Sequence, residues 1–181
     1  MKGKLVILSG PSGVGKDTVL HTWREANPRV VRVIAYTTRC PRTGEVDGVD
    51  YHFVSKSAFE RLVTQGAFLE YKKVYENYYA TPLEDMEALL AAGKIAVLKI
   101  DVQGAKDVMR LRPDAITIFL LPPSIEELEE RIRSRASDTN EEIQTRLASA
   151  KAELSESHLY QHSVVNDEIN RAVSELERIV S

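Results

Sequence analysis

Apolar positions fall into short runs separated by amphipathic stretches, and the alternation predicts the elements one by one. Lys4 to Ser9 is an apolar, β-branched run closed by glycine, and Asp17 to Ala26 follows with Val19, Leu20 and Trp23 at helical spacing. The unit is strand, loop, helix. Val30 to Tyr36 predicts a second strand, Ser57 with Glu60 a capping box for a helix to about Gln65, and Phe68 to Tyr75 another strand. Thr81, Pro82 and Glu84 combine an N-cap, a first-turn proline and a capping glutamate, with Gly93 as the stop. Ile95 to Ile100 and Ala115 to Leu121 read as buried strands around a helix from about Gln103 to Leu111. Ser124 and Glu127 open a helix to about Arg135, and a further helix reaches about Ser155. A strand near Ser163 to Asn166 and a helix from Glu168 follow. Strands alternating with helices predict an α/β fold: a parallel sheet with helices on both faces.

Composition narrows the class. At 181 residues the chain suits a single domain. No stretch approaches the roughly 18 apolar residues of a membrane span, and Met1 to Lys4 lead straight into the first apolar run without a signal peptide's pattern. The expectation is a cytoplasmic protein without a membrane partner. The lone Cys40 allows no internal disulfide, and four scattered histidines give no metal-ligand spacing. A net charge of −3 gives no global attraction to nucleic acid, so anion binding must come from local clusters.

One cluster is the loop between the first strand and helix: Gly10, Pro11, Ser12, Gly13, Val14, Gly15, Lys16, Asp17 and Thr18. Two glycines five apart, followed by lysine, let successive backbone N–H groups curl round phosphate oxygens at a helix N-terminus. Lys16 is placed for the β- and γ-phosphates of a nucleotide. Arg39 and Arg42 lie on a glycine-punctuated segment with Tyr51; alone they read as a solvated basic loop, and beside a phosphate loop as a second phosphate site.

The phosphate loop, Thr37 to Phe53, Phe68 to Tyr71, Asn77 to Thr81, Ile100 to Gly104, Pro122 to Ser124 and Val164 to Asp167 together resemble guanylate kinases, in family order and over nearly the whole chain. The resemblance implies a P-loop parallel core from about 1–34, 83–124 and 156–181, a GMP-binding insertion at about 35–82 and a helical lid at about 125–155. It implies transfer of the γ-phosphoryl group of ATP to GMP, giving ADP and GDP, with Mg²⁺; dGMP is a further candidate acceptor. Arg39, Arg42, Tyr51 and Tyr79 correspond to residues that hold the GMP phosphate. Glu70, Thr81 and Asp101 correspond to the guanine pocket, where a carboxylate suits the N1–H and 2-amino donors. Arg131, Arg135 and Arg146 correspond to lid arginines over the transferring phosphoryl group, and Asn166 to a residue on the adenine side. For several of these a structural reading stands beside the functional one: Glu70 as an exposed strand carboxylate, Thr81 as a helix cap, Tyr51 and Tyr79 as core aromatics, Arg131 and Arg135 as i,i+4 partners of Glu126 to Glu130.

Several positions depart from the family pattern: Ala35 for a serine touching guanine, Ala80 and Ala136 for glycines, Asp17 for a serine or threonine, and Lys99 for an acid. Asp17 and Lys99 amount to an exchange of charge. Sequence accommodates either a pair beneath the ATP phosphates, with Asp17 as the magnesium-side carboxylate, or an Asp17 that only caps its helix. Two rivals remain at this stage, a non-catalytic guanylate-kinase-like interaction domain and a P-loop kinase of a phosphorylated sugar. Gly15, Lys16 and the lid arginines oppose the first, and Glu70 with the Thr37 to Arg42 segment opposes the second. Oligomeric state is not legible.

Overall fold

A computed structural model describes residues 2–74, 76–134 and 140–181. Along them run β1 (Lys4–Ser9), α1 (Lys16–Ala26), β2 (Val30–Arg32), β3 (Tyr36–Thr37), β4 (His52–Phe53) and α2 (Lys56–Thr64). Then come β5 (Phe68–Val74), β6 (Asn77–Pro82), α3 (Leu83–Ala91), β7 (Ile95–Lys99), α4 (Val102–Leu111) and β8 (Ile116–Leu121). α5 (Ile125–Arg133), α6 (Asn140–Ser155), a 3₁₀ turn at Ser157–Leu159, β9 (His162–Val165) and α7 (Ile169–Val180) follow.

The main sheet is parallel throughout, in the order β2-β7-β1-β8-β9. Because side chains alternate along a strand, β1 serves two cores. Val6 and Leu8 face Val19, Leu20 and Trp23 of α1 and Ala172, Val173 and Leu176 of α7. Leu5 and Ile7 face Met86 of α3 and Val102, Ala105 and Val108 of α4. Both faces are thereby covered, as an all-parallel sheet requires. A third apolar cluster, Leu128, Ile132, Ile143, Leu147 and Ala150, joins α5 to α6.

A second sheet, in the order β4-β3-β6-β5, corrects the reading of Val30 to Tyr36 as one strand. β2 pairs with β7, whereas β3 pairs with β4 and β6, so the segment passes from one sheet to the other at Val33 to Ala35. β6 was not predicted as a strand. Its antiparallel pairing with β5 places Thr81 opposite Glu70, across a bulge between Phe68 and Glu70. Thr81 is therefore a strand residue and not the cap of α3, whose N-cap position is held by Pro82 without a side-chain bond. The α2 cap also differs: Ser55 accepts from the Ala58 N–H at 3.2 Å, where Ser57 was expected to cap. At Ser124 the expected cap forms, accepting from the Glu127 N–H.

Phe59 of α2 anchors the small sheet. It is fully buried, with ring centroids 4.9 Å from Phe68 and 5.4 Å from Tyr78. Replacing a buried phenylalanine by alanine forfeits transfer free energy and leaves a cavity, so Phe59→Ala is expected to lower the unfolding free energy in urea by about 3–5 kcal/mol. A loss below about 1 kcal/mol would show that this sheet is not packed through Phe59.

Candidate functional site

The loop between β1 and α1 is the first half of the site. Gly15 sits at φ +95°, a left-handed conformation, and a Cβ there would stand 2.7 Å from the Asn166 amide nitrogen. At Gly10 a Cβ would stand 2.6 Å from the Leu120 carbonyl oxygen. Glycine is required at both. The Lys16 ammonium folds over the loop and donates to the Gly10 and Pro11 carbonyls at 2.5 and 3.0 Å. Burial pushes its pKa down to about 8, against the opposing pull of the Glu153 carboxylate. Asp17 and Thr18, in the first turn of α1, are exposed.

Residues far apart in sequence hold this loop from outside. Asn166, expected on the adenine side, is buried and donates its amide to the Val14 carbonyl at 2.7 Å. Arg131 approaches the Val14 and Asn166 carbonyls at 3.4 Å each while pairing with Glu127 at 2.5 Å. Arg146 donates to the Ser12 hydroxyl at 3.3 Å. Arg135, and Ala136 beside it, lie outside the described residues. Sequence reading missed Glu153 of α6, whose carboxylate accepts the Ser12 N–H at 3.1 Å and faces Lys16. Burial pushes this carboxyl up, with the Ser12 N–H and Lys16 acting the other way. Nothing in its local sequence signals the contact, which arises from packing α6 across the loop.

The second half is a cavity of about 270 Å³ between the small sheet and the C-terminal end of β7. Glu70, Thr81, Asp101, Tyr51 and Tyr79 all line it, together with Ala35, Lys72 and Lys99. The Thr81 hydroxyl donates to Glu70 at 2.7 Å, and burial pushes the Glu70 carboxyl up from its ordinary value. Asp101 caps α4, accepting the Gly104 N–H at 2.7 Å. At the other end Arg39 donates to the Tyr79 hydroxyl at 3.3 Å and lies 5.4 Å above the centre of the Tyr51 ring. Arg42 is exposed on the same loop. Glu45, also missed from sequence, accepts both arms of the Arg39 guanidinium at 2.8 and 2.9 Å. That bond holds the Glu45 carboxyl down at about 2, and it fixes the guanidinium plane beside the two tyrosines. Arg32 completes the cationic end, 5.7 Å from the Tyr51 ring centre.

Lys99 joins the halves. It lines the cavity, and its ammonium is ion-paired to Asp17 at the start of α1. Desolvation acts to raise the Asp17 carboxyl, but Lys99, Arg32 and Lys16 together pull it the other way and the net shift is downward. The structure thus brings Asp17 and Lys99 together, and the N-cap position of α1 is held by Gly15 and not by Asp17. No group of three His, Cys, Asp or Glu side chains able to hold a metal occurs among the described residues.

Comparison with known proteins places this arrangement. Residues 2–181 match the family model described as guanylate kinase. A guanylate kinase of Rickettsia bellii is 44% identical over 179 residues, 99% of this chain and 94% of that protein. One from Neisseria meningitidis serogroup A is 48% identical over 181 residues, 99% of this chain and 88% of that protein. The crystal structure of guanylate kinase from Anaplasma phagocytophilum superposes with a TM-score of 0.78 at 32% identity, covering 99% of this chain and 85% of that one. With the family model matched over residues 2–181, relatives at 44–48% identity across nearly the whole chain and a parallel P-loop core, the chain belongs to the guanylate kinase family.

Proposed function

We propose that the chain transfers the γ-phosphoryl group of ATP to GMP, giving ADP and GDP. The observation that carries this is the facing of two unlike ends across the Lys99–Asp17 pair: a glycine loop with Lys16 on one side, and the Glu70–Thr81 wall with Arg39, Tyr51 and Tyr79 on the other. In this reading the parts at about 35–82 and 125–155 act as acceptor-binding part and lid on a core of about 1–34, 83–124 and 156–181.

ATP phosphates take the loop N–H groups of Gly10 to Thr18. Lys16 gives up the Gly10 and Pro11 carbonyls to meet the β- and γ-phosphates, and Glu153 yields the Ser12 N–H to a phosphate oxygen. Arg39, Arg42, Tyr51 and Tyr79 hold the acceptor phosphate. Glu70 accepts from guanine N1–H and the 2-amino group, with Asp101 beside it; adenine offers an unprotonated N1 there. Sites built round such a partner reject analogues lacking it by roughly 10⁴-fold or more. A GMP phosphate oxygen attacks the γ-phosphorus in line, and the bond to the β–γ bridging oxygen breaks, leaving with ADP. Little covalent chemistry falls to the protein, so Lys16, Arg131, Arg135 and Arg146 act by position and charge. Closure of α5 and α6 excludes water. Asn166 supports the donor side by holding Val14.

Mg²⁺ ordinarily takes one or two carboxylates together with substrate phosphates, and Asp17 supplies such an oxygen beside the loop, kept ionised by Lys99. When bound, the metal neutralises charge on the β- and γ-phosphates. The setting proposed for this reaction is the cytoplasm, where ATP and GMP are at hand; among the described residues no helix is long and apolar enough to cross a membrane.

A coupled ADP-release assay across GMP, dGMP, AMP, CMP, UMP and ribose phosphates tests the reading; the expected acceptor is GMP, and turnover of a sugar phosphate alone would overturn it. Glu70→Gln is expected to raise KM for GMP at least about tenfold with KM for ATP unchanged. Arg39→Ala should act chiefly on KM for GMP, whereas Arg131→Ala lowers kcat about a hundredfold; the reverse sorting would exchange the two phosphate sites. Asp17→Ser and Lys99→Asp should each impair magnesium-dependent turnover, and the double variant should recover part of it, with a coupling of about 0.5–3 kcal/mol in kcat/KM. Asp17 is largely exposed, so the coupling belongs in turnover and not in Tm. Strictly additive losses would remove Lys99 from the donor site.

A further inference from the structure

β5 carries a second polar side chain into the acceptor cavity. Past the bulge its residues alternate cleanly: Glu70, Lys72 and Val74 turn to the cavity, and Tyr71 and Lys73 are exposed. Lys72 thus stands on the same face as Glu70, one pleat further along.

The hydrogen-bonding capacity of this end of the cavity is lopsided. Glu70 and Asp101 are acceptors, the Thr81 hydroxyl spends its proton on Glu70, and Ala35 and Ala80 present only methyl groups. That set matches one edge of guanine, the N1–H and the 2-amino group. The other edge, O6 and N7, consists of acceptors and requires a donor. Lys99 is committed to Asp17, and Tyr51 and Tyr79, the latter accepting from Arg39 and keeping its own proton, stand with that guanidinium at the other end of the cavity. Lys72, opposite Tyr79 in the register with β6, brings three donors and no acceptor to the cavity face it shares with Glu70.

Lys72 is also loosely held. Its side chain is partly buried and its ammonium lies 4.0 Å from the Asp107 carboxylate of α4, beyond hydrogen-bond length, so turning it to a ligand carbonyl gives up little. Its charge offsets part of the cost of burying Glu70.

We propose that Lys72 is a specificity-determining residue of the acceptor site, donating to O6 and N7 of guanine while Glu70 reads the opposite donors. The proposal rests on GMP being the acceptor. It makes selectivity two-sided: one carboxylate demands donors and one ammonium demands acceptors, so a purine with an amino group at C6 is refused at both edges.

Steady-state kinetics of the unmodified protein, Lys72→Met and Lys72→Arg with GMP, IMP, 6-thio-GMP and 7-deaza-GMP tests it, with melting curves to confirm folding. Lys72→Met is expected to raise KM for GMP and for IMP by the same factor, roughly ten- to a hundredfold, with KM for ATP unchanged. IMP keeps O6 and N7 but lacks the 2-amino group, so an equal factor separates Lys72 from Glu70. The preference of the unmodified protein for GMP over 6-thio-GMP and 7-deaza-GMP should shrink in Lys72→Met and partly return in Lys72→Arg. An unchanged KM for GMP, or the same preference in Lys72→Met as in the unmodified protein, overturns the proposal. If the unmodified protein fails to phosphorylate GMP at all, the acceptor reading itself falls, and Lys72's role with it.

Discussion

A phosphate cradle is made of backbone N–H groups, and a backbone kept open for a ligand has to be held by everything except that ligand. This constraint organises the molecule. The carbonyls that a glycine loop turns outward need partners, and they receive them from distant elements. Val14 is bonded by Asn166, just past β9, and approached by Arg131 of α5; Gly10 and Pro11 are bonded by Lys16. Gly10 and Gly15 then admit the close approach of Leu120 and Asn166. The central position of β1 follows from the same need, since the loop is set by strands and helices packed on both sides of it.

The contacts from α6 have a different character. Glu153 occupies the Ser12 N–H, and Arg146 the Ser12 hydroxyl. A carboxylate facing Lys16 presents to the loop the charge and acceptor geometry that a phosphate oxygen would bring. α6 thus rests on the loop through a carboxylate that holds the Ser12 N–H, the same donor that the proposed reading gives to a phosphate oxygen. Burial raises the Glu153 carboxyl, as expected of an acceptor held in place by a single N–H and one cation.

Lys99 and Asp17 give the junction of the two sites a neutral pair where the guanylate kinase pattern has a hydroxyl and an acid. One residue belongs to the end of a core strand that lines the cavity, the other to the first turn after the glycine loop. The pair spans the two halves of the site. On the acceptor side the bulge in β5 does comparable work: it re-aims Glu70 toward Thr81, and the strand beyond it carries Lys72 inward.

Sequence by itself determined what depends on neighbours along the chain. The glycine loop, the amphipathic faces of α1 and α7, the Ser124 cap and the buried runs of β1, β7 and β8 are local signals, because helix caps, left-handed glycines and apolar periodicity act within a few residues. The guanylate kinase motifs were legible for the same reason, each being a short run with its own chemistry. Tertiary structure alone decided which partner a residue met. Val30 to Tyr36 has the composition of one strand, but pairing with β7 at one end and with β6 at the other splits it between sheets. Thr81 has the neighbours of a helix cap, but β6 sets it against Glu70. Glu153, Glu45 and Lys72 carry no local mark at all, since an acid on a helix, an acid in a loop and a lysine on a strand look alike until the chain that faces them is in place. Lys99 could have pointed to either sheet face; the register of β7 beside β1 is what turned it to Asp17.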